Sequence, residues 1–191
     1  MKVSFRNYLT LFGIAGLIIA LDQWTKYLVR TNIPVGGTWL PAGWEHLEPY
    51  ARIVYWHNTG AAFGMFKEGS GVFTVLAFVV AGAIIWFYNQ VEAGDWFLRI
   101  ALSMQLGGAL GNLVDRLFAD GKVTDWISVG NFAVFNVADA SITVGTGIML
   151  IGVWIMEKRD REAAKREQVE NESDLADESE PVSHSGTEAS V

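Results

Sequence analysis

The sequence predicts an all-α polytopic membrane protein, with four transmembrane helices and a small external β-element in the first external loop. Three observations carry that class. Four apolar stretches of about 20 residues recur along the chain, the length a helix needs to cross a bilayer. Hydrophobic residues make up 51% of the 191 residues and charged ones only 18%, where a soluble domain carries about 25% charge. Eight tryptophans are present, and Trp24, Trp86, Trp96, Trp126 and Trp154 fall at or near the ends of the apolar stretches, where an interfacial aromatic belt belongs.

The first segment covers about 8–29. Lys2 and Arg6 precede it, and no charge interrupts the run from Asn7 to Leu21. A cleaved signal peptide is the competing reading. Asp22, Gln23 and Lys26 inside the stretch, and the lack of a clear small-x-small cleavage site, argue for a retained helix. The loop 31–69 follows. Pro34, Gly36, Gly37, Pro41 and Gly43 punctuate its first half. Ala51-Arg52-Ile53-Val54-Tyr55-Trp56 is rich in β-branched and aromatic residues and predicts a strand. The second segment, 70–90, lies within a charge-free run from Gly69 to Val91. The third, 96–117, carries Arg99 near its start and Asp115 and Arg116 at its end. The fourth, 136–156, is uncharged after Asp139. From 158 to 191 the chain is charged, and beyond about Glu167 it is acidic, Ser-rich and poor in large apolar residues, a composition that predicts disorder. These features divide the chain into a membrane domain, 1–157, and a cytoplasmic tail, 158–191.

Charge placement sets orientation. Lys2 and Arg6 precede segment one, and Lys158, Arg159, Arg161, Lys165 and Arg166 follow segment four. Both termini are therefore expected in the cytoplasm. Arg30, Arg52, Lys67 and Lys122 in or beside the external loops make this only moderate adherence to the rule. Residues 157–191 hold 11 acidic and five basic side chains, so most of the net charge of −7 belongs to the tail. With no basic face in the body, a nucleic-acid partner is excluded. With no cysteine, so are thiol nucleophiles, disulfides and thiolate-bound metals.

An ionisable group inside a spanning helix is costly and marks a functional candidate. On this topology Asp22, Lys26, Asn112, Asp115, Arg116, Asp125, Asn136 and Asp139 all fall at one depth near the outer face. Each also has a structural reading. Asp22 and Lys26, four residues apart, can form an ion pair on one helix face. Asn112, Asp115 and Arg116 can form a local cluster at a helix end. Asn136 can cap the fourth helix with Asp139 at its third position. Gly107 and Gly111 suit close helix packing, Asp125 can be a plain loop residue, and His46 and His57 suit the surface better than a metal. Two carboxylates in a partly desolvated site separate into a general acid and a general base. Such a pair can activate water and protonate a leaving amine. No recognised serine-peptidase or metal-peptidase motif competes. A small proton-coupled transporter is the main rival, and a non-catalytic scaffold a weaker one. A transporter needs polar groups at the midplane or on both sides, whereas segment two carries no charge.

Five motifs occur together: Leu21-Asp22-Gln23-Trp24-Thr25-Lys26, Asn58-Thr59-Gly60-Ala61-Ala62-Phe63-Gly64, Gly111-Asn112-Leu113-Val114-Asp115-Arg116, Val123-Thr124-Asp125-Trp126-Ile127 and Phe135-Asn136-Val137-Ala138-Asp139-Ala140. In order and spacing the chain over about 8–157 resembles the bacterial lipoprotein signal peptidases, the type II signal peptidases. Thr25 and Trp126 stand where Ser and Phe are the more frequent residues. The resemblance implies an aspartic endopeptidase that needs no cofactor or metal. It would cut diacylglyceryl-modified prolipoproteins on the amino side of the lipidated cysteine. It implies Asp125 and Asp139 as the catalytic pair, Asn58, Asn112, Arg116 and Asn136 as substrate-binding or orienting residues, and Asp22, Lys26 and Asp115 as polar support. It makes the first external loop a β-cradle over the substrate. It implies the bacterial cytoplasmic (inner) membrane as the location, membrane lipid and globomycin-type inhibitors as ligands, and a monomer.

Overall fold

The computed structural model describes residues 5–59, 70–92 and 94–179. The Gly60–Gly64 half of one motif, Lys2, Lys67 and the tail beyond Ser179 lie outside the described residues. Helices α1 (Phe5–Asn32), α2 (Ser70–Tyr88), α3 (Trp96–Phe118) and α4 (Val137–Ser179) each contain a stretch long and apolar enough to cross a membrane. The chain divides into two units, Met1–Gly152 and Val153–Val191.

Within the first unit α3 is the most enclosed helix, and its glycines explain how. A Cβ on Gly107 would stand 2.9 Å from Ile18 Cβ and 3.0 Å from Ala15 Cα of α1. One on Gly108 would overlap the Ala138 carbonyl oxygen of α4. One on Gly111 would meet both Asp22 Oδ2 and Ala138 Cβ, at 3.0 and 3.2 Å. Lipid offers no hydrophobic drive between helices, so bare backbone that permits close approach is what lets them associate. On α2 the buried residues Ala77, Ala81, Ile84 and Tyr88 recur every three or four positions, one helical stripe. Ala81, Ile84 and Tyr88 pack with Leu11, Ala15, Leu102 and Leu106 in one apolar cluster. The other faces of α2 expose Val72, Val75, Phe78, Val79 and Trp86, as a lipid-contacting helix does.

At the other end of the helices lies an antiparallel sheet of β1 (Thr38–Trp39), β2 (Ala51–Asn58) and β3 (Val123–Val129), in that order. Strand β2 extends the predicted Ala51–Trp56 by two residues. Strand β3 lies in the connection between α3 and α4, so the sheet is not made by the first loop alone, and Asp125 lies in a strand rather than a loop. The reason is visible in its burial. Val123, Thr124 and Asp125 are all buried in succession, so the strand shows no in–out alternation. Its pairing with β2 places Trp56 opposite Asp125 and Asn58 opposite Val123, with a register irregularity between Ile53 and Trp56.

Helix α4 starts in a reciprocal cap. Asp139 N donates to Asn136 Oδ1 at 2.9 Å and Asn136 N donates to Asp139 Oδ2 at 3.2 Å, a capping box built from Asn and Asp. The helix continues to Ser179, beyond the apolar segment expected to end at Met156. Past that point Glu, Ala, Lys, Arg and Gln dominate, all strong helix formers. Within the second unit Glu157 and Arg161 pair four residues apart, and Lys158 Nζ stands 6.0 Å from the centre of the Trp154 ring.

Candidate active site

Between α1, α3 and β3 runs a buried charged seam. Lys26 Nζ stands 2.7 Å from Asp22 Oδ2 and 3.1 Å from Asp115 Oδ2, with all three side chains fully enclosed. Each carboxylate also holds backbone. Asp22 Oδ1 accepts from Ala138 N at 3.0 Å, and Asp115 Oδ2 accepts from Thr124 N at 2.9 Å. Gln23 Nε2 donates to Asp22 Oδ2, Asp115 Oδ1 and the Gly111 carbonyl at 3.0–3.1 Å. Arg30 Nη2 stands 2.7 Å from Asp115 Oδ1 as an ion-pair contact without hydrogen-bond geometry. Its Nε donates to Thr124 Oγ1 at 2.8 Å. Charges removed from water are tolerable only when paired and hydrogen-bonded in this way. The seam therefore ties α1 and α3 to the starts of α4 and β3.

In front of the seam opens a cavity of about 540 Å³, lined on its polar side by Asn58, Asn112, Arg116, Asp125 and Asp139. Phe73, Phe132, Phe135, Ile142 and Val144 are among its apolar walls. Asparagines join the two carboxylates. Asn58 Nδ2 donates to Asp125 Oδ2 at 2.9 Å, and Asn136 Nδ2 donates to Asp125 Oδ1 at 2.7 Å. Asn112 Nδ2 donates to Asp139 Oδ1 at 2.7 Å. Asn112 Oδ1 accepts from both Lys26 Nζ and Asn136 Nδ2, each at 3.0 Å, so this one amide connects seam and cavity. Among the described residues no salt bridge reaches Asp125 or Asp139. Burial, and secondarily the neighbouring Asp139 charge, push the Asp125 carboxyl up to about 7, against the opposing hydrogen bonds from Asn58 and Asn136. Arg116 places its guanidinium 5.6 Å from the centre of the Phe73 ring, and its Nη1 donates to the Asn112 carbonyl at 3.4 Å.

The structure thus gathers the nine residues named as catalytic, orienting or supporting and sorts them by depth. Asn58, Asn112, Arg116, Asp125 and Asp139 face the cavity, Asn136 is fully buried behind it, and Asp22, Lys26 and Asp115 form the seam. The Asp22–Lys26 ion pair exists, but Lys26 also serves Asp115 and Asn112. Gln23 stands in a quoted motif without a role read for it, and Arg30 figured only as a charge near an external loop. Their function in the seam depends on contacts 88 to 94 residues away in the chain, which no local pattern signals. Gly108 stands outside the small-xxx-small spacing that marks Gly107 and Gly111 for close packing, yet it is the glycine that meets α4 at Ala138, Ser141 and Ile142. His46 lies in a 3₁₀ turn at Glu45–Leu47, and His57 Nε2 is 2.9 Å from Tyr55 Oη.

The signal peptidase (SPase) II family profile matches residues 14–155. The chain is 35% identical over 156 residues to the lipoprotein signal peptidase of Shouchella clausii, covering 80% of this chain and 97% of that one. It is 39% identical over 148 residues to the lipoprotein signal peptidase of Thermodesulfovibrio yellowstonii, covering 75% and 92%. A bacterial membrane enzyme solved by the in meso method superimposes with a TM-score of 0.69 at 28% identity, covering 76% of this chain and 87% of that one.

Proposed function

The chain belongs to the signal peptidase II family, and on that premise we propose that it removes signal peptides from prolipoproteins with Asp125 and Asp139 as its catalytic pair. The observation that carries the assignment is the shared cavity: two carboxylates line it, each held by amide donors and, among the described residues, neither salt-bridged to a cation. The proton-coupled transporter reading finds no support, because the carboxylates gather at one end of the helices and α2 carries no charge.

Chemistry follows from the asymmetry of the pair. Asp125, with its proton held to about pH 7, is the general acid. Asp139, oriented by Asn112 Nδ2 and the Asn136 backbone N–H, is the general base. Asp139 takes a proton from water as the water oxygen bonds to the scissile carbonyl carbon. Asp125 gives its proton to the carbonyl oxygen, producing a neutral gem-diol. Collapse of that intermediate breaks the C–N bond. The amine leaves with the proton held by Asp139, and Asp125 recovers its proton from the gem-diol. Arg116 and Asn58, on the cavity wall, bind and orient the peptide. The apolar walls suit the acyl chains of a diacylglyceryl cysteine, and the proposed cut falls on the amino side of that residue.

The same reading places both termini in the cytoplasm, the cavity at the outer face of the bacterial inner membrane, and the sheet over the substrate as a cradle. It takes the protein as a monomer inhibited by globomycin, with residues 1–157 sufficient for catalysis. The decisive assay incubates the purified protein with a diacylated prolipoprotein and follows globomycin-sensitive cleavage before the cysteine. Absence of cleavage by the folded protein would refute the reading.

A further inference from the structure

Thr124 precedes Asp125 in β3, and successive side chains of a strand point to opposite faces. Asp125 enters the cavity, while Thr124, 1% exposed, turns back to the seam. There Thr124 is held twice. Arg30 Nε donates to its hydroxyl at 2.8 Å, and its own N–H donates to Asp115 Oδ2 at 2.9 Å. Arg30 and Asp115 are themselves in contact at 2.7 Å. The three residues close a ring across α1, α3 and β3. The β2–β3 ladder pairs His57 with Thr124 and Trp56 with Asp125, and its register breaks immediately beyond, between Trp56 and Ile53, so the ring supplements the ladder where its regular pairing ends. Arg30 has no reach into the cavity, whose lining residues do not include it.

We propose that Arg30 is a positioning residue for catalysis: with Asp115 it clamps Thr124 and thereby fixes where the Asp125 carboxyl stands opposite Asp139. The inference rests on the reading of Asp125 and Asp139 as the catalytic pair. Reacting groups displaced by about 1 Å lose on the order of a hundredfold in rate, so a loosened clamp acts on the chemical step. Substrate binding, which uses the cavity wall, is left largely intact.

The test measures kcat and KM per folded molecule for diacylated prolipoprotein, in the full chain, for Arg30→Gln, Thr124→Val, the double variant and Thr124→Ser, with Asp125→Asn alongside. Thermal unfolding in detergent reports the folded fraction. Arg30→Gln and Thr124→Val are expected to lower kcat about 10- to 100-fold and to change KM less than about twofold. The double variant should be no worse than the poorer single one, because both break the same contact. Thr124→Ser, which restores the hydroxyl, should recover most of the kcat lost in Thr124→Val. Full kcat in Arg30→Gln and Thr124→Val beside a dead Asp125→Asn would overturn the proposal, as would losses that multiply in the double variant. Normal cleavage by Asp125→Asn would instead overturn the catalytic pair. Should Arg30→Gln fail to fold, the Thr124→Val and Thr124→Ser pair decides the matter alone: equal kcat in the two overturns the clamp.

Discussion

Asp22 and Asp115 sit behind the cavity, Asp125 and Asp139 at its wall, and Asn112 touches both groups. The rear pair surrounds an ammonium, with Lys26 within 2.7 and 3.1 Å of the two carboxylates. The front pair accepts its hydrogen bonds, among the described residues, from amide N–H groups. Amide donors orient a carboxylate without cancelling its charge. The rear aspartates are thereby committed to holding helices together, whereas Asp125, buried beside Asp139, is free to carry and release a proton. On the proposed reading the same residue type serves scaffold and chemistry: the rear carboxylates hold an ion pair at contact distance, whereas Arg116 and Lys26 act on the front ones from beyond ion-pair distance.

The sharpest way to break that contrast is at the front. Asp139→Asn keeps size and orientation but cannot accept a proton from water, so cleavage should fall by at least about a thousandfold. Insertion into the membrane and thermal unfolding should stay near wild type. Retained turnover in a folded Asp139→Asn protein would remove the distinction.

The next largest effect lies at the rear. Lys26→Met leaves the buried Asp22 without its cation and Asp115 with Arg30 alone, and breaking a buried pair costs about 3–5 kcal/mol. Folded yield and thermal stability in detergent should drop first. A Lys26→Met protein as stable as wild type would show that the seam is not held by charge.

A pH series sharpens the comparison further. Asp125 is raised from 3.8 to about 7 in the folded protein. Between those values the native state binds more protons than the unfolded chain. The stability held by the protonated carboxyl is therefore full below about pH 4 and is lost as pH rises through about 7. Asp125→Asn removes this slope. Its unfolding temperature should match wild type near pH 4 and exceed it near pH 8, by the equivalent of a few kcal/mol. Activity of the wild type should fall above about pH 7 as the general acid loses its proton. Parallel stability curves for the two proteins would contradict the assignment.

These contrasts were only partly legible in the chain. Helix positions were, because runs of about 20 apolar residues have few alternatives, and so was the Asn136–Asp139 cap, which is local. Convergence of the carboxylates followed from helix direction alone. Sorting them into rear and front did not follow, since Lys26 is as near in sequence to Asp22 as any i, i+4 partner, and nothing local says that it also meets Asp115 and Asn112. Strand β3 was hidden because its first three residues are all buried. Arg30 weighed slightly against the predicted orientation as a charge near an external loop, while in the structure it is tied to Asp115 and Thr124.

The smallest expected effect concerns the second unit. Truncation after Glu167 removes none of the seam or cavity residues, and turnover should change less than about twofold, within the scatter of substitutions remote from any site. A large loss at normal membrane levels would assign the tail a role in catalysis.

The most direct test is one assay on four proteins. Asp125→Asn, Asp139→Asn, Asp22→Asn and Asp115→Asn are compared for cleavage of diacylated prolipoprotein, each normalised to its folded fraction. The front variants should lose at least about a thousandfold in kcat. The rear variants should lose yield and stability but keep turnover per folded molecule within about tenfold to a hundredfold of wild type. A well-folded Asp115→Asn protein without activity, beside front variants that cleave normally, would contradict the account.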